Sequence, residues 1–179
     1  MEKTGNRVIR VAITGPESTG KSALAEYLAG YFETRFVPEY ARGYIANMRR
    51  AYGYKDLNYI AHQQLVSERY FEKRATGYVF CDTDLTVIKI WSEHRYGKCS
   101  SWVLKRLGEI RYDLYLLCDV DLPWEADPQR EHPEMREHFM DLYRKELEER
   151  GVNFRVISGR GEERFENAVK ACEDFILPQ

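Results

Sequence analysis

The chain has 179 residues, of which 44% are hydrophobic and 31% charged, the composition of a folded globular domain with room for a sizeable core. Its 27 basic and 29 acidic residues leave a net charge of −2, which argues against a protein that grips nucleic acid by neutralising phosphates. No uncharged apolar run approaches the roughly 20 residues needed to span a bilayer. The opening MEKTGNRVIRVAITG is charged throughout and lacks the apolar stretch of a secretory leader. Cys81, Cys99, Cys118 and Cys172 form no CxxC pair, so neither a zinc knuckle nor a redox dithiol is expected. Together these features predict reduced thiols, a cytoplasmic location, and no membrane or nucleic-acid partner.

Short β-rich runs alternate with longer helical ones. Val8 to Thr14 reads as a strand, followed by a glycine-rich turn and a helix from about Ser22 to Phe32. Arg35 to Val37 is a second strand, stopped by Pro38, and a helix from Glu39 to Met48 follows. Asp56 is the expected N-cap of a long helix reaching Arg74, with Gly77 ending it. Tyr78 to Cys81 is the third strand, and Leu85 to Trp91 and Ser101 to Ile110 are helical. Leu114 to Cys118 is uninterruptedly apolar, as in a parallel strand buried on both faces. A polar loop from Asp119 to His132 leads to a helix that starts at Pro133 and ends by Arg150. Phe154 to Ile157 is the fifth strand and Glu162 to Ile176 the closing helix. The pattern predicts one α/β domain over residues 1–179: a five-stranded parallel sheet flanked by helices, with ligands at the carboxyl ends of the strands.

After the first strand stands Gly15-Pro16-Glu17-Ser18-Thr19-Gly20-Lys21-Ser22, a full GxxxxGK[ST] match between strand and helix. Its glycines let successive backbone N–H groups point inward as an anion nest, reinforced by the helix N-terminus. Lys21 is placed to reach β- and γ-phosphates and the Ser22 hydroxyl to ligate Mg²⁺, so ATP and Mg²⁺ are the expected cofactors. The third strand ends in Asp82-Thr83-Asp84. Asp82 is a candidate for holding Mg²⁺ through water or for accepting a proton from a substrate hydroxyl; Asp84 either shares that role or caps the next helix. Residues 119–136 carry Arg130 and Arg136 without regular periodicity, the pattern of an arginine-bearing lid. Ser158 and Gly159, after the fifth strand, are candidates for cupping the adenine. Tyr40, Trp91 and Trp124 are candidate stacking residues.

These motifs recur in order with PEYAR (38–42), FCDTDL (80–85), YGK (96–98), YDLYLL (112–117), the DxPW of 121–124 and ISGxGEER (157–164). In this the chain resembles the ribosylnicotinamide kinase domain of NadR-type NAD-biosynthesis proteins. The resemblance implies a P-loop nucleoside-kinase-like fold and phosphorylation of the 5′-hydroxyl of nicotinamide riboside by ATP. It implies that residues 15–22 hold the ATP phosphates, that Asp82 lies beside the acceptor hydroxyl, that Glu39 and Arg42 face the acceptor pocket, and that Arg130 belongs to the lid. Adenylyltransferase and repressor activities are not expected to transfer, since no second nucleotide-binding motif is present. Two positions depart from the family pattern: Pro38 stands where an aromatic clamps the nicotinamide ring, and Asp127-Pro128-Gln129-Arg130 replaces a DGxR lid. A kinase of another nucleoside or nucleotide, with Arg42, Arg49 or Lys98 taking an acceptor phosphate, is the nearest alternative. An ATP-dependent switch without a small acceptor is the alternative of another class.

Overall fold

The computed structural model describes residues 7–176. Five strands, β1 (Ile9–Thr14), β2 (Arg35–Val37), β3 (Tyr78–Asp82), β4 (Leu114–Cys118) and β5 (Phe154–Ile157), form one sheet in the order β2-β3-β1-β4-β5. Each neighbouring pair is parallel. The seven helices among the described residues are α1 (Lys21–Tyr31), α2 (Tyr40–Ala46), α3 (Tyr54–Glu72), α4 (Leu85–Tyr96), α5 (Ser101–Glu109), α6 (Arg136–Glu149) and α7 (Glu162–Ile176). A single 3-10 turn at Pro133–Met135 leads into α6.

Both faces of the sheet are covered, and the two-residue repeat of the strands sorts the core. Val11, Ile13, Leu114, Leu116 and Phe80 pack with Leu24 and Leu28 of α1 and Ala168 and Cys172 of α7. Ala12, Val79, Tyr115 and Leu117 point the other way, onto Phe139, Tyr143 and Leu147 of α6. A smaller cluster joins α3, α4 and α5 through Leu57, Ile60, Leu85, Ile88, Val103 and Leu107. All four cysteines are free thiols, three of them buried. No helix among the described residues is long and apolar enough to cross a membrane.

Helix ends follow local chemistry. The Asp84 carboxylate accepts the Thr86 N–H and caps α4, which runs five residues further than its apolar pattern predicts and stops at Gly97, φ 65°. Asp56, expected as the N-cap of α3, is instead its third residue, because Tyr54 and Lys55 already lie in the helix behind Gly53. Its carboxylate reaches back to the Gly53 N–H at 2.7 Å and takes a bidentate pair from Arg50 at 2.7 and 2.8 Å. The hydrogen bonds from Arg50 hold the Asp56 carboxyl well below the usual carboxylate range.

Candidate active site

The first βα turn wraps as its glycines require. Gly15 has φ 133°, and a Cβ there would lie 2.8 Å from the Cys118 carbonyl oxygen, so only glycine lets the loop pass β4 this closely. Gly20, φ 74°, caps α1, and Ser18 is also left-handed at φ 57°. The Thr19 hydroxyl donates to the Pro16 carbonyl at 2.8 Å, while Lys21 Nζ folds back onto the Gly15 and Pro16 carbonyls at 2.9 and 2.6 Å. The loop is therefore shaped by its own side chains, with the ammonium of Lys21 held at its mouth.

Beside it, β3 ends at a strained residue. Thr83 is β-branched yet sits at φ 68°, tethered by its N–H to the Ile13 carbonyl at 3.0 Å. This turn separates the two neighbouring acids. Asp82, paired in register with Ile13 of β1, is 2% exposed, and its Oδ1 has no hydrogen-bond partner. Burial pushes its pKa up, against the Ser22 hydroxyl and the charges of Lys21 and Arg42. Glu39, at the start of α2, is raised for the same reason, with Lys21 pulling it down and Asp82 pushing it up. Asp84 turns into the interior instead. Its Oδ2 accepts from Thr86 N at 3.1 Å and Thr86 Oγ1 at 2.5 Å, and Arg150 braces that hydroxyl and Tyr115. The helix cap expected as one alternative for Asp84 is formed, and Asp84 Oδ1, like that of Asp82, is buried without a hydrogen-bond partner.

A cavity of 530 Å³ opens between these parts. Gly15 and residues 17–22 line it together with Glu39 and Arg42, and Tyr52, Leu57, Ile60, Val87, Ile88 and Trp91 add an apolar, partly aromatic lining. Residues 119–136 lie over the P-loop. Arg130 lines the cavity, donating to the Glu125 carbonyl at 2.6 Å and approaching Ser18 Oγ at 3.4 Å. Arg136 donates to the Ser18 and Leu122 carbonyls at 3.1 and 2.8 Å. The Glu17 carboxylate, whose pKa burial raises, accepts the backbone N–H groups of Glu131 and His132. Glu17 thereby ties the P-loop to the covering segment.

Several predicted residues lie apart from this cavity. Tyr40 packs with Tyr44 and Tyr59 and, with Glu39 and Arg49, lines a second cavity of about 900 Å³ instead. Exposed Lys98 sits over the Tyr54 ring at 5.0 Å, and Trp124 under Arg136 at 5.9 Å. Ser158 and Gly159 sit at the β4–β5 edge, where Ser158 Oγ donates to Asp119 and the Gly159 N–H to Asp121. Conversely, Tyr52 and Arg95 line the cavity with no sequence signal of their own; Arg95 donates to the Tyr52 hydroxyl at 3.0 Å and to Glu131. Trp91, one turn earlier on α4, is brought into the wall beside His132. Arg164, 3% exposed, links the P-loop carbonyl of Thr19 to Asp121 and to the Asp119 carbonyl. It closes the ISGRGEER motif, which offered the only hint of it.

A sequence-family profile described as an AAA domain matches residues 10–164. The chain is 30% identical over 174 residues to the trifunctional NAD biosynthesis/regulator protein NadR of Escherichia coli (strain K12). That match takes in 93% of this chain but 41% of the relative, so the chain spans about two fifths of that protein's length. Crystal structures of NadR in complex with NR, and of NadR in complex with NAD and AMP-PNP, superpose with TM-scores of 0.82 and 0.80 at 22% identity. Each covers 94% of this chain and 50% of the other. With the P-loop, the five-stranded parallel sheet and the profile match in agreement, the chain belongs to the AAA-domain family and is similar to one segment of the NadR proteins.

Proposed function

We propose that the protein uses ATP to phosphorylate the 5′-hydroxyl of nicotinamide riboside, giving nicotinamide mononucleotide and ADP. The observation that carries this reading is one cavity lined both by the P-loop residues and by Tyr52 and Trp91, with Asp82 buried just behind its Thr83 lining and within charge range of Lys21. The similarity to NadR, one of whose crystal structures contains NR and another AMP-PNP, supports it.

The nest of residues 15–22 would bind the β- and γ-phosphates, and Lys21 would exchange its carbonyl partners for phosphate oxygens. The flat, cationic nicotinamide ring would lie against Trp91 and Tyr52, where an aromatic face attracts positive charge. Asp82, already raised by burial, would accept the hydroxyl proton as the 5′-oxygen bonds to the γ-phosphorus and the bond to the β-phosphate oxygen breaks. Arg130 would turn from the Glu125 carbonyl to the transferring group and stabilise its charge. The orphaned, buried carboxylate oxygen on Asp82 near Ser22 suits the shell of a hard cation, so Ser22 would hold Mg²⁺ with Asp82 acting through a water, which leaves the carboxylate free to take the proton. Bound there, the ion would neutralise charge on the β- and γ-phosphates.

Asp82→Asn should cut kcat on the order of 10²- to 10⁴-fold. Lys21→Ala should cost about 10²- to 10³-fold, with circular dichroism unchanged in both. Turnover at the wild-type rate in either variant contradicts the assigned roles.

A further inference from the structure

The covering segment grips the helix that carries the acceptor side of the cavity. Arg42 of α2 pairs with Asp127 Oδ2 at 2.5 Å, and two residues on, Gln129 Nε2 donates to the Arg42 carbonyl at 3.1 Å. Both grips come from one turn. The Asp127 Oδ1 accepts the Gln129 N–H at 2.9 Å, and its carbonyl accepts the Arg130 N–H at 3.0 Å. Pro128 fixes φ between them, so the two contacts and the placement of Arg130 move together.

The partner helix is suited to such a grip. Helix α2 has seven residues, none of them fully buried. It rests on the α3–α5 cluster through the half-buried side chains of Tyr40, Ala41, Tyr44 and Ile45, and is tied to α3 by Gln64 Oε1 accepting the Tyr40 N–H at 3.0 Å and by the Tyr44 hydroxyl donating to Asp56 at 2.9 Å. The nucleotide end of the same segment is anchored independently, through Glu17 to the backbone of residues 131 and 132. One exposed ion pair is weak; here it acts in series with a second bond and a rigid turn.

We propose that Asp127 and Gln129 are positioning residues that couple the two substrate sites: nucleotide binding sets the 119–136 segment, and their clasp on Arg42 then sets α2 against the acceptor. This inference rests on the nicotinamide riboside kinase reading. The coupling is reciprocal, so each ligand must tighten the other by one factor.

Isothermal titration of the wild type with nicotinamide riboside, with and without saturating AMP-PNP, should show the riboside tightening about 5-fold or more. In Asp127→Asn/Gln129→Ala the factor should fall below about 2-fold, while AMP-PNP alone binds as in the wild type and the thermal midpoint holds. Gln129→Ala alone should lie between, which separates loss of the clasp from loss of the turn. An unchanged factor in the double variant overturns the proposal, as does a wild type that phosphorylates the riboside without coupling. A wild type that neither binds nor phosphorylates the riboside overturns the kinase reading itself, and this inference with it.

Discussion

At the scale of single residues, two acids stand in different surroundings on either side of one strained dihedral. Thr83 at φ 68° leaves Asp82 beside the P-loop lysine and turns Asp84 inward to cap α4. Of the roles the sequence offers Asp84, the cap is the one its Oδ2 fills, while Oδ1 is left without a partner. The aromatic wall is decided at this scale too. Pro38 removes the expected ring before the Glu-Tyr pair, and Trp91 on α4, Tyr52 before α3 and Tyr143 on α6 are the rings that line the cavity. Trp91→Ala should raise KM for nicotinamide riboside about 10-fold, the ~1.4 kcal/mol expected of a lost ring contact, with KM for ATP little changed. Trp91 also packs on Phe139, so Trp91→Phe serves as the control and should recover most of the affinity. Equal KM values for the riboside in all three proteins would remove Trp91 from the site.

At the scale of elements, β2, β4, β5 and α7 were legible to the residue, because each is bounded by turn residues and carries an unambiguous apolar pattern. The end of α4 was not, since its last turn of Glu93, His94, Arg95 and Tyr96 is polar and exposed or half-buried. Arg95 and Arg164 carry no local sequence signal of their roles for a related reason. A basic residue declares its role only through partners far away in sequence, 36 residues for Arg95 and Glu131, and 145 for Arg164 and Thr19. The same holds for Glu68, which ties α3 to β1 and to the strand-leading Tyr112. It accepts from Arg10 at 2.7 Å and from the Tyr112 hydroxyl at 2.8 Å, and burial lifts its pKa to about 7 against both. Its ordinary value is 4.5, so between pH 4.5 and 7 the folded state holds more proton than the unfolded chain, and this group's contribution to stability declines as pH rises. Asp56 has the opposite sign, but its window lies below 3.8. Denaturant unfolding at pH 5 and pH 7.5 should therefore show a smaller loss of stability in Glu68→Gln than in the wild type. Equal losses would mean that Glu68 is ionised throughout.

At the scale of the whole molecule, the near-zero net charge conceals a division. Residues 1–118 carry 18 basic and 13 acidic residues, and residues 119–179 carry 9 and 16. The fold lays the acidic-rich half's covering segment against the basic half's P-loop, α2 and α4, through Glu17, Arg42 and Arg95, so ion pairs and hydrogen bonds between residues far apart in the sequence hold it there. Phosphate affinity is then a local property of the nest, which bulk charge does not report. The central claim is the acceptor, and a panel of nucleosides and nucleotides incubated with ATP and Mg²⁺, read by mass spectrometry, tests it directly. The account predicts nicotinamide mononucleotide and ADP in equal amounts, with nicotinamide riboside preferred over every uncharged nucleoside. Consumption of ATP without a phosphorylated acceptor, or preference for another nucleoside, would contradict it.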